Sequence, residues 1–181
     1  MGAPDLEQLE RLALSRNLLL RLHVTRAAGL LWTLRVGVAR RVAVDSPPPG
    51  RPDTLVLLGE LKGWALPMAD GLRLDTMRVQ GRGAGGSTTG VGPLIWAATL
   101  AWALEATPCR RATLLAIRDN DAQHRRLVRY FRRLGFEPVR ELGAGPLDLA
   151  PRLLWGGSGL LMQGDCAEGL ARAWRQLQAP A

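Results

Sequence analysis

The chain has 181 residues, of which 47% are hydrophobic, and a formal net charge of +8 at neutral pH. This length favours one domain, and the apolar fraction is large enough to build a core, which excludes an intrinsically disordered protein. Nearly all of the positive charge comes from arginine, since Lys62 is the only lysine. The excess charge favours an anionic ligand, an acidic partner or nucleic acid.

The cysteines and the N-terminus predict the compartment. Cys109 and Cys166 are isolated, and the acidic residues near the N-terminus are unlike a secretory signal. Both features favour reduced thiols in a cytoplasmic protein. His23 and His124 do not combine with the cysteines in the spacing of a zinc site. Arginines interrupt the apolar stretch 27–44, so we expect no membrane span.

The first half of the chain mixes helical and strand-like patterns. Leucines spaced along residues 4–22 predict an amphipathic helix. Residues 25–40 fit both periods, and we predict a helix followed by a strand. The proline-rich segment 46–52 predicts an exposed loop, and residues 54–66 predict two strands or one bent strand.

The second half alternates strands with helices. The predicted elements are strand 72–79, helix 93–106, strand 112–118, helix 121–134, strands 152–155 and 159–162, and helix 165–177. Helix 93–106 is apolar almost all round, which predicts burial against a sheet, with Pro93 in its first position. Gly135 suits the left-handed position after the basic helix. This alternation predicts an α/β fold.

A glycine-rich segment, residues 80–92, lies between strand 72–79 and the following helix. Backbone N–H groups at a helix N-terminus are open, and the helix dipole favours negative charge there. The segment therefore predicts a site for a phosphate-bearing cofactor. The alternative is an ordinary surface loop.

Three motifs carry a resemblance to a known family. Gln80-x-x-Gly83-x-Gly85 ends a strand, Asn120 follows the next strand, and Leu134-Gly135-Phe136 follows the basic helix. This order resembles the GNAT superfamily of N-acetyltransferases. Segment 102–107 is also similar to a poorly characterised branch of that superfamily from photosynthetic bacteria and plastids.

The resemblance implies a fold and a cofactor. It implies one domain over residues 1–181, with a mixed, mostly antiparallel sheet flanked by helices and a core cofactor-binding region at 72–136. It also implies acetyl-CoA or CoA as cofactor, with the pyrophosphate on backbone N–H groups near the helix start. The cofactor-binding residues that it implies are Val79, Gly83, Gly85, Thr89, Gly90, Val91, Gly92 and Asn120. For Asn120, a helix N-cap is the alternative role.

Two residues are candidates for acid–base chemistry. Asp75, in the strand before the glycine segment, is the candidate general base, and its alternative role is an ion pair with an arginine of the same strand. In the superfamily a tyrosine four residues before the glycine of the last motif protonates the leaving thiolate. Phe131 occupies that position here, so the adjacent Tyr130 is the candidate proton donor.

These features predict an acetyl-CoA-dependent N-acyltransferase that acts on an amine of a small molecule or protein. The alternative is a catalytically weakened domain of the same family that docks an acidic protein partner through the basic helix. Cationic residues of that helix are His124, Arg125, Arg126, Arg129, Arg132 and Arg133. They also suit a ribose phosphate or a solvated surface. Nucleic-acid binding is a weaker alternative, because the scattered tryptophans form no stacking platform for bases.

Overall fold

The computed structural model describes residues 2–42, 54–80, 90–143 and 145–179. The strands are β1 (Leu18–Ala27), β2 (Leu31–Val42), β3 (Thr54–Ala65), β4 (Leu72–Val79), β5 (Arg111–Ile117), β6 (Phe136–Leu142) and β7 (Gly159–Asp165). The helices are α1 (Leu6–Ser15), α2 (Val91–Ala106), α3 (Asp121–Arg133), α4 (Leu149–Trp155) and α5 (Cys166–Gln178), and a 3₁₀ turn (Pro146–Asp148) precedes α4.

The described strands form one seven-stranded sheet in the order β1-β2-β3-β4-β5-β7-β6. Neighbouring strands are antiparallel except β4 and β5, which run parallel and are connected through α2. A parallel pair needs such a crossover, because a tight turn joins only antiparallel strands. The predicted α/β fold, with a mixed, mostly antiparallel sheet flanked by helices, is confirmed.

Helix α2 lies at the centre of the core. It contacts strands β2, β3 and β4 of the sheet, and it also contacts helices α1 and α5. This confirms the prediction that an all-round apolar helix is buried against a sheet. Trp96 of α2 is 1% exposed and contacts Phe131 of α3 and Phe136 of β6, with ring centroids 6.1 and 5.6 Å apart. These contacts place α3 beside α2 on the same face of the sheet.

The prediction for residues 4–40 was partly wrong. Helix α1 ends at Ser15, Asn17 takes a left-handed conformation with φ of 61°, and the chain continues as β1. Residues 25–40 contain no helix; they form the turn and much of the β1–β2 hairpin. In β1 the buried residues are Leu18 and Leu20, which alternate as a strand requires. Pairing along the whole hairpin thus outweighs the helical spacing of the leucines.

The C-terminal third contains two further corrections. Residues 152–155, predicted as a strand, belong to helix α4. Strand β6 was not predicted, because its five central residues are exposed and leave no alternating apolar pattern. Gly135, by contrast, has the predicted left-handed conformation with φ of 95°. The predicted loop 46–52 lies outside the described residues.

Gly59 of β3 allows α2 to approach the sheet closely. A Cβ atom added there would lie 2.9 Å from Ile95 Cδ1 and 3.1 Å from Val91 Cγ1. Both of these side chains are fully buried in the first turns of α2, so neither has free space to move into. The position of the α2 N-terminus over the sheet therefore depends on the missing side chain.

We predict that Gly59→Ala lowers the free energy of unfolding by about 1–3 kcal/mol, because overpacking displaces the start of α2. Gly37→Ala is the matched control on the neighbouring strand. A Cβ at Gly37 would meet only Leu57 Cδ1, at 3.6 Å, which is an ordinary contact, so we expect a change of less than about 0.5 kcal/mol. Urea denaturation measures both values, and equal shifts for the two variants would contradict this account.

Candidate functional site

The sheet opens between β4 and β5. Their parallel pairing joins residues 72–74 to residues 112–114 and ends there. Strand β4 continues to Val79 alongside β3, and β5 continues to Ile117 alongside β7. Beyond the paired segment each strand therefore presents one edge of backbone N–H and C=O groups that no described strand pairs.

The gap between the two strands, called the cleft below, encloses about 280 Å³. Its lining includes Asp75 and Met77 of β4, Ile117 of β5, Trp96 of α2 and Phe131 of α3. A more open groove of about 590 Å³ runs along α3 and shares two lining residues with the cleft, Gln123 and Leu127. The cleft and the groove therefore adjoin at these two residues.

Helix α2 begins next to the cleft with uncapped backbone donors. Gly90 is its N-cap residue, with φ of 87°, and no side chain of the described residues caps this end. Pro93 is the third helical residue, not the first as predicted, and it has no N–H group. The donors of the first turn that have no partner in the described part of the chain are therefore the N–H groups of Val91 and Gly92. Together with the helix dipole they favour an anion at this position.

Arg16 also lies at this end of α2, and sequence analysis did not identify it. A Cβ atom added to Gly90 would lie 3.1 Å from Arg16 Nη1. The other terminal nitrogen, Arg16 Nη2, donates a hydrogen bond to the backbone oxygen of Leu177 in α5. The guanidinium thus adds a positive charge to the helix end. No local signal could have found it, because Arg16 is far from Gly90 along the chain.

Tyr130 and Phe131 lie in different parts of the site. The Tyr130 hydroxyl accepts a hydrogen bond from Trp96 Nε1 at 2.8 Å and lies 3.5 Å from where a Cβ on Gly92 would stand. The Phe131 ring lines the cleft and packs edge-on against Trp96. The tyrosine hydroxyl therefore stands at the first turn of α2, while the phenylalanine occupies the cleft.

Asp75 lies in a bulge of β4, where the pairing register with β3 shifts between Lys62 and Gly63. Its side chain remains accessible and lines the cleft. Desolvation raises the pKa of the Asp75 carboxyl, while a hydrogen bond from the Trp64 side chain opposes that rise. Among the described residues it forms no ion pair, so the alternative role predicted for it, pairing with Arg73 or Arg78, is not observed.

Glu60 is the acidic residue of the neighbouring strand β3, and it forms an ion pair. Arg35 Nε and Nη2 donate hydrogen bonds to Glu60 Oε2 at 2.9 and 2.8 Å. This interaction holds the pKa of Glu60 below its usual range. Because Asp75 has the raised pKa and the position in the cleft, it is the better candidate for a general base.

Asn120 caps helix α3, as the alternative prediction proposed. Its Oδ1 accepts hydrogen bonds from the backbone N–H groups of Ala122 at 2.8 Å and Gln123 at 3.4 Å. The residue also lines the groove along α3. The cap and a ligand contact are compatible, since the side-chain N–H₂ group takes no part in the cap.

The cationic surface of α3 differs from the prediction at one residue. His124 is buried, and its Nδ1 lies 3.2 Å from the backbone oxygen of Ile117. The exposed cations of α3 are Arg125, Arg126, Arg129, Arg132 and Arg133, and none forms an ion pair among the described residues. Of these, Arg126 lines the groove.

Of the remaining predicted site residues, the structure describes two, Val79 and Val91. Val79 is the last residue of β4 and is exposed. Gly83, Gly85 and Thr89 lie outside the described residues. Val91 is fully buried, so only its backbone is available to a ligand.

Other chemistries find little support in the described ranges. No group of three or more His, Cys, Asp or Glu residues in them is arranged to hold a metal ion. Cys109 and Cys166 are free and buried, and burial raises the pKa of the Cys166 thiol to about 12, which keeps it protonated.

No helix within 2–42, 54–80, 90–143 or 145–179 has the length and apolar character to cross a bilayer.

No protein-family model matches this sequence, and no curated protein matches it. A match among solved structures is the crystal structure of an uncharacterized protein from Bacillus halodurans, with 13% sequence identity and a TM-score of 0.46. The matched region covers 80% of this chain and 65% of that protein, so the chain spans less than two thirds of its length.

Tyr130 offers a direct test of the site's geometry, because it is the only tyrosine of the chain. Burial raises the pKa of its hydroxyl above 10.0, while the hydrogen bond from Trp96 opposes the rise. We predict that tyrosinate absorbance of the folded protein has a midpoint above 10.0, which falls to about 10 in denaturant. The free energy of unfolding should have its full value below pH ~10 and decline toward the folded-state pKa.

Spectrophotometric titration measures both midpoints, with circular dichroism to confirm that the folded sample stays folded. Tyr130→Phe is the control and should abolish the absorbance change. Identical midpoints in buffer and denaturant would show that the Tyr130 hydroxyl is not buried against α2 as described.

Proposed function

We propose that the protein is an acetyl-CoA-dependent N-acyltransferase with the architecture of the GNAT superfamily. The observation that carries the proposal is the cleft, in which β4 and β5 part after residues 72–74 and 112–114. Parallel strands that separate in this way leave extended backbone edges, which suit a ligand with amide groups of its own. The pantetheine arm of CoA has that chemistry.

The start of α2 supports a phosphate-bearing cofactor. The N–H groups of Val91 and Gly92 have no partner among the described residues, and Arg16 adds a cation at the same end. A pyrophosphate there and a pantetheine arm in the cleft would place CoA along the surface from α2 into the sheet. Arg126 and Asn120 of the adjoining groove are available to the nucleotide end of the cofactor.

In this proposal the chain contributes mainly orientation and one proton acceptor. Bound acetyl-CoA supplies an activated acyl group as a thioester. Asp75 accepts the proton that the amine loses as it attacks the acyl carbon, and the raised pKa of its carboxyl suits that role. The C–N bond forms, the C–S bond breaks, and the thiolate takes a proton from water or from Tyr130. Holding both reactants in line accounts for most of the rate enhancement.

We predict that Gly92→Asp weakens CoA binding at least about tenfold relative to Gly92→Asn, because only the aspartate opposes the phosphate charge. Asparagine has the same shape and is the matched control. Both substitutions are tolerable for the fold, since a Cβ at Gly92 would lie 3.5 Å from Tyr130 Oη and 3.8 Å from Met77 Cε. Gly90 is less suitable for this test, because its φ of 87° would strain any other residue.

Isothermal titration calorimetry with CoA measures these affinities. Equal affinities for the aspartate and asparagine variants would remove the phosphate from this end of α2. If the natural protein gives no heat with millimolar CoA, the proposed function is rejected.

A second prediction concerns the thiolate. Phe131→Tyr should raise the rate of acetyl transfer, by up to about 10²–10⁴-fold, because it puts a proton donor into the cleft. Tyr130→Phe should lower the rate only if the Tyr130 hydroxyl donates the proton in the natural protein. The measurement is thiol release from acetyl-CoA with a panel of small amines, and CoA affinity is determined for each variant as a control. Fast turnover of the natural sequence, unchanged in both variants, would contradict this placement of the donor.

One observation favours a second candidate, a catalytically weakened domain that docks an acidic partner. Five arginines of α3 are exposed and without ion pairs among the described residues. Phe131 in the cleft, in place of a proton donor, also agrees with a loss of catalysis. The calorimetric test distinguishes the candidates, since this alternative gains support where CoA does not bind.

A further inference from the structure

The connection between β6 and β7 carries an unusual apolar surface. The exposed leucines of the 3₁₀ turn and α4 are Leu147 (88%), Leu149 (59%), Leu153 (78%) and Leu154 (62%). We call these four residues the leucine patch. Clustered exposed apolar side chains mark interaction surfaces, whereas single ones are common on any protein.

The ionic groups beside the leucine patch leave it positively charged. Asp148 is bound by the Arg140 guanidinium, and Glu141 is bound by Arg118 Nη1 at 2.6 Å. Arg152 of α4 has no carboxylate partner among the described residues, and its Nε is buried without a hydrogen-bond partner. The two acidic residues are thus neutralised, while Arg152 keeps its charge.

Trp155, the last residue of α4, extends this arrangement toward the edge of the sheet where β4 and β5 are paired. Its ring centroid lies 6.0 Å from the guanidinium carbon of Arg73, at the paired end of β4 and β5. Arg73 also has no carboxylate partner among the described residues; its hydrogen bonds go to backbone oxygens and to Thr113. Leucine, tryptophan and unpaired arginine together are the composition of interfacial membrane-binding segments.

We propose that the leucine patch docks the protein onto an anionic lipid surface. The leucines enter the boundary of the acyl chains, and Arg152 and Arg73 contact the phosphates of the headgroups. The net charge of +8 draws the whole chain to such a surface. This interaction is independent of acyl transfer and has its own measurement.

Two other occupants fit the patch less well. A second copy would bring two chains of net charge +8 together and would place Arg152 of one against Arg152 of the other. An acidic protein would find only two arginines without a described carboxylate partner beside four apolar side chains. A lipid surface satisfies both parts of the patch, since it offers hydrocarbon and phosphate at adjacent depths.

Vesicle co-sedimentation tests the proposal with the full chain. We expect binding to vesicles of phosphatidylcholine with phosphatidylglycerol, weaker binding to phosphatidylcholine alone, and a loss of the difference at high salt. The double variant Leu153→Ser, Leu154→Ser should lower the partition coefficient by about tenfold or more. Arg152→Gln should lower it about fivefold, on the anionic vesicles only.

The matched control is Leu14→Ser, Leu30→Ser, because both leucines are 62% exposed and lie outside the patch. This control should bind like the natural protein. The proposal is overturned if neither kind of vesicle binds the chain, or if the control and the patch variant lose binding equally. A second outcome also overturns it: the natural chain binds no vesicles, light scattering shows that it self-associates with rising concentration, and the patch substitutions abolish this self-association. The patch would then join two copies.

Discussion

Strands β4 and β5 are joined by only three residue pairs, and the other parts of the candidate site are arranged around the gap beyond them. A strand edge that leaves its sheet carries polar backbone groups, which need partners from solvent or a ligand. Met77 of β4, Trp96 of α2 and Phe131 of α3 all line this gap. Without the parting of the strands, these elements would face a closed sheet and no cleft would exist.

The interior of the site depends on the burial of α2. Its first turn lies over Gly59, and its Trp96 side chain reaches across to α3 and β6. The Trp96 indole has a single N–H donor, which must be satisfied once the residue is buried, and the Tyr130 hydroxyl satisfies it. The same hydrogen bond holds Tyr130 at the start of α2. One buried tryptophan therefore positions both the helix end and the tyrosine.

The surface charge is divided among separate places with different roles. Glu60 is surrounded by cations and stabilises β2 and β3 through Arg35. The arginines of α3 remain exposed, and Arg16 stands at the end of α2. The composition showed an excess of arginine but did not distinguish these uses, because pairing depends on which strands and helices become neighbours.

Several features were determined by local sequence. Helix α2 follows from its apolar run, the start of α3 follows from the Asn120 cap, and its end follows from Gly135. Strand β4 has the predicted bounds, 72–79. These signals act over one or two helical turns or a few residues of strand, so the residues alone suffice to predict them.

Only the tertiary structure decided the remaining features. Residues 25–40 carry spacing for either period, and the pairing of β1 with β2 and of β2 with β3 made them strands. Strand β6 exists because β7 offers it an edge, and the exposed leucines of α4 follow from its place outside the core. The proximity of Arg16 to Gly90, and the placing of Tyr130 at α2 with Phe131 in the cleft, arise from contacts between residues far apart along the chain. Such contacts are chosen by the packing of the whole core, for which no short segment contains the information.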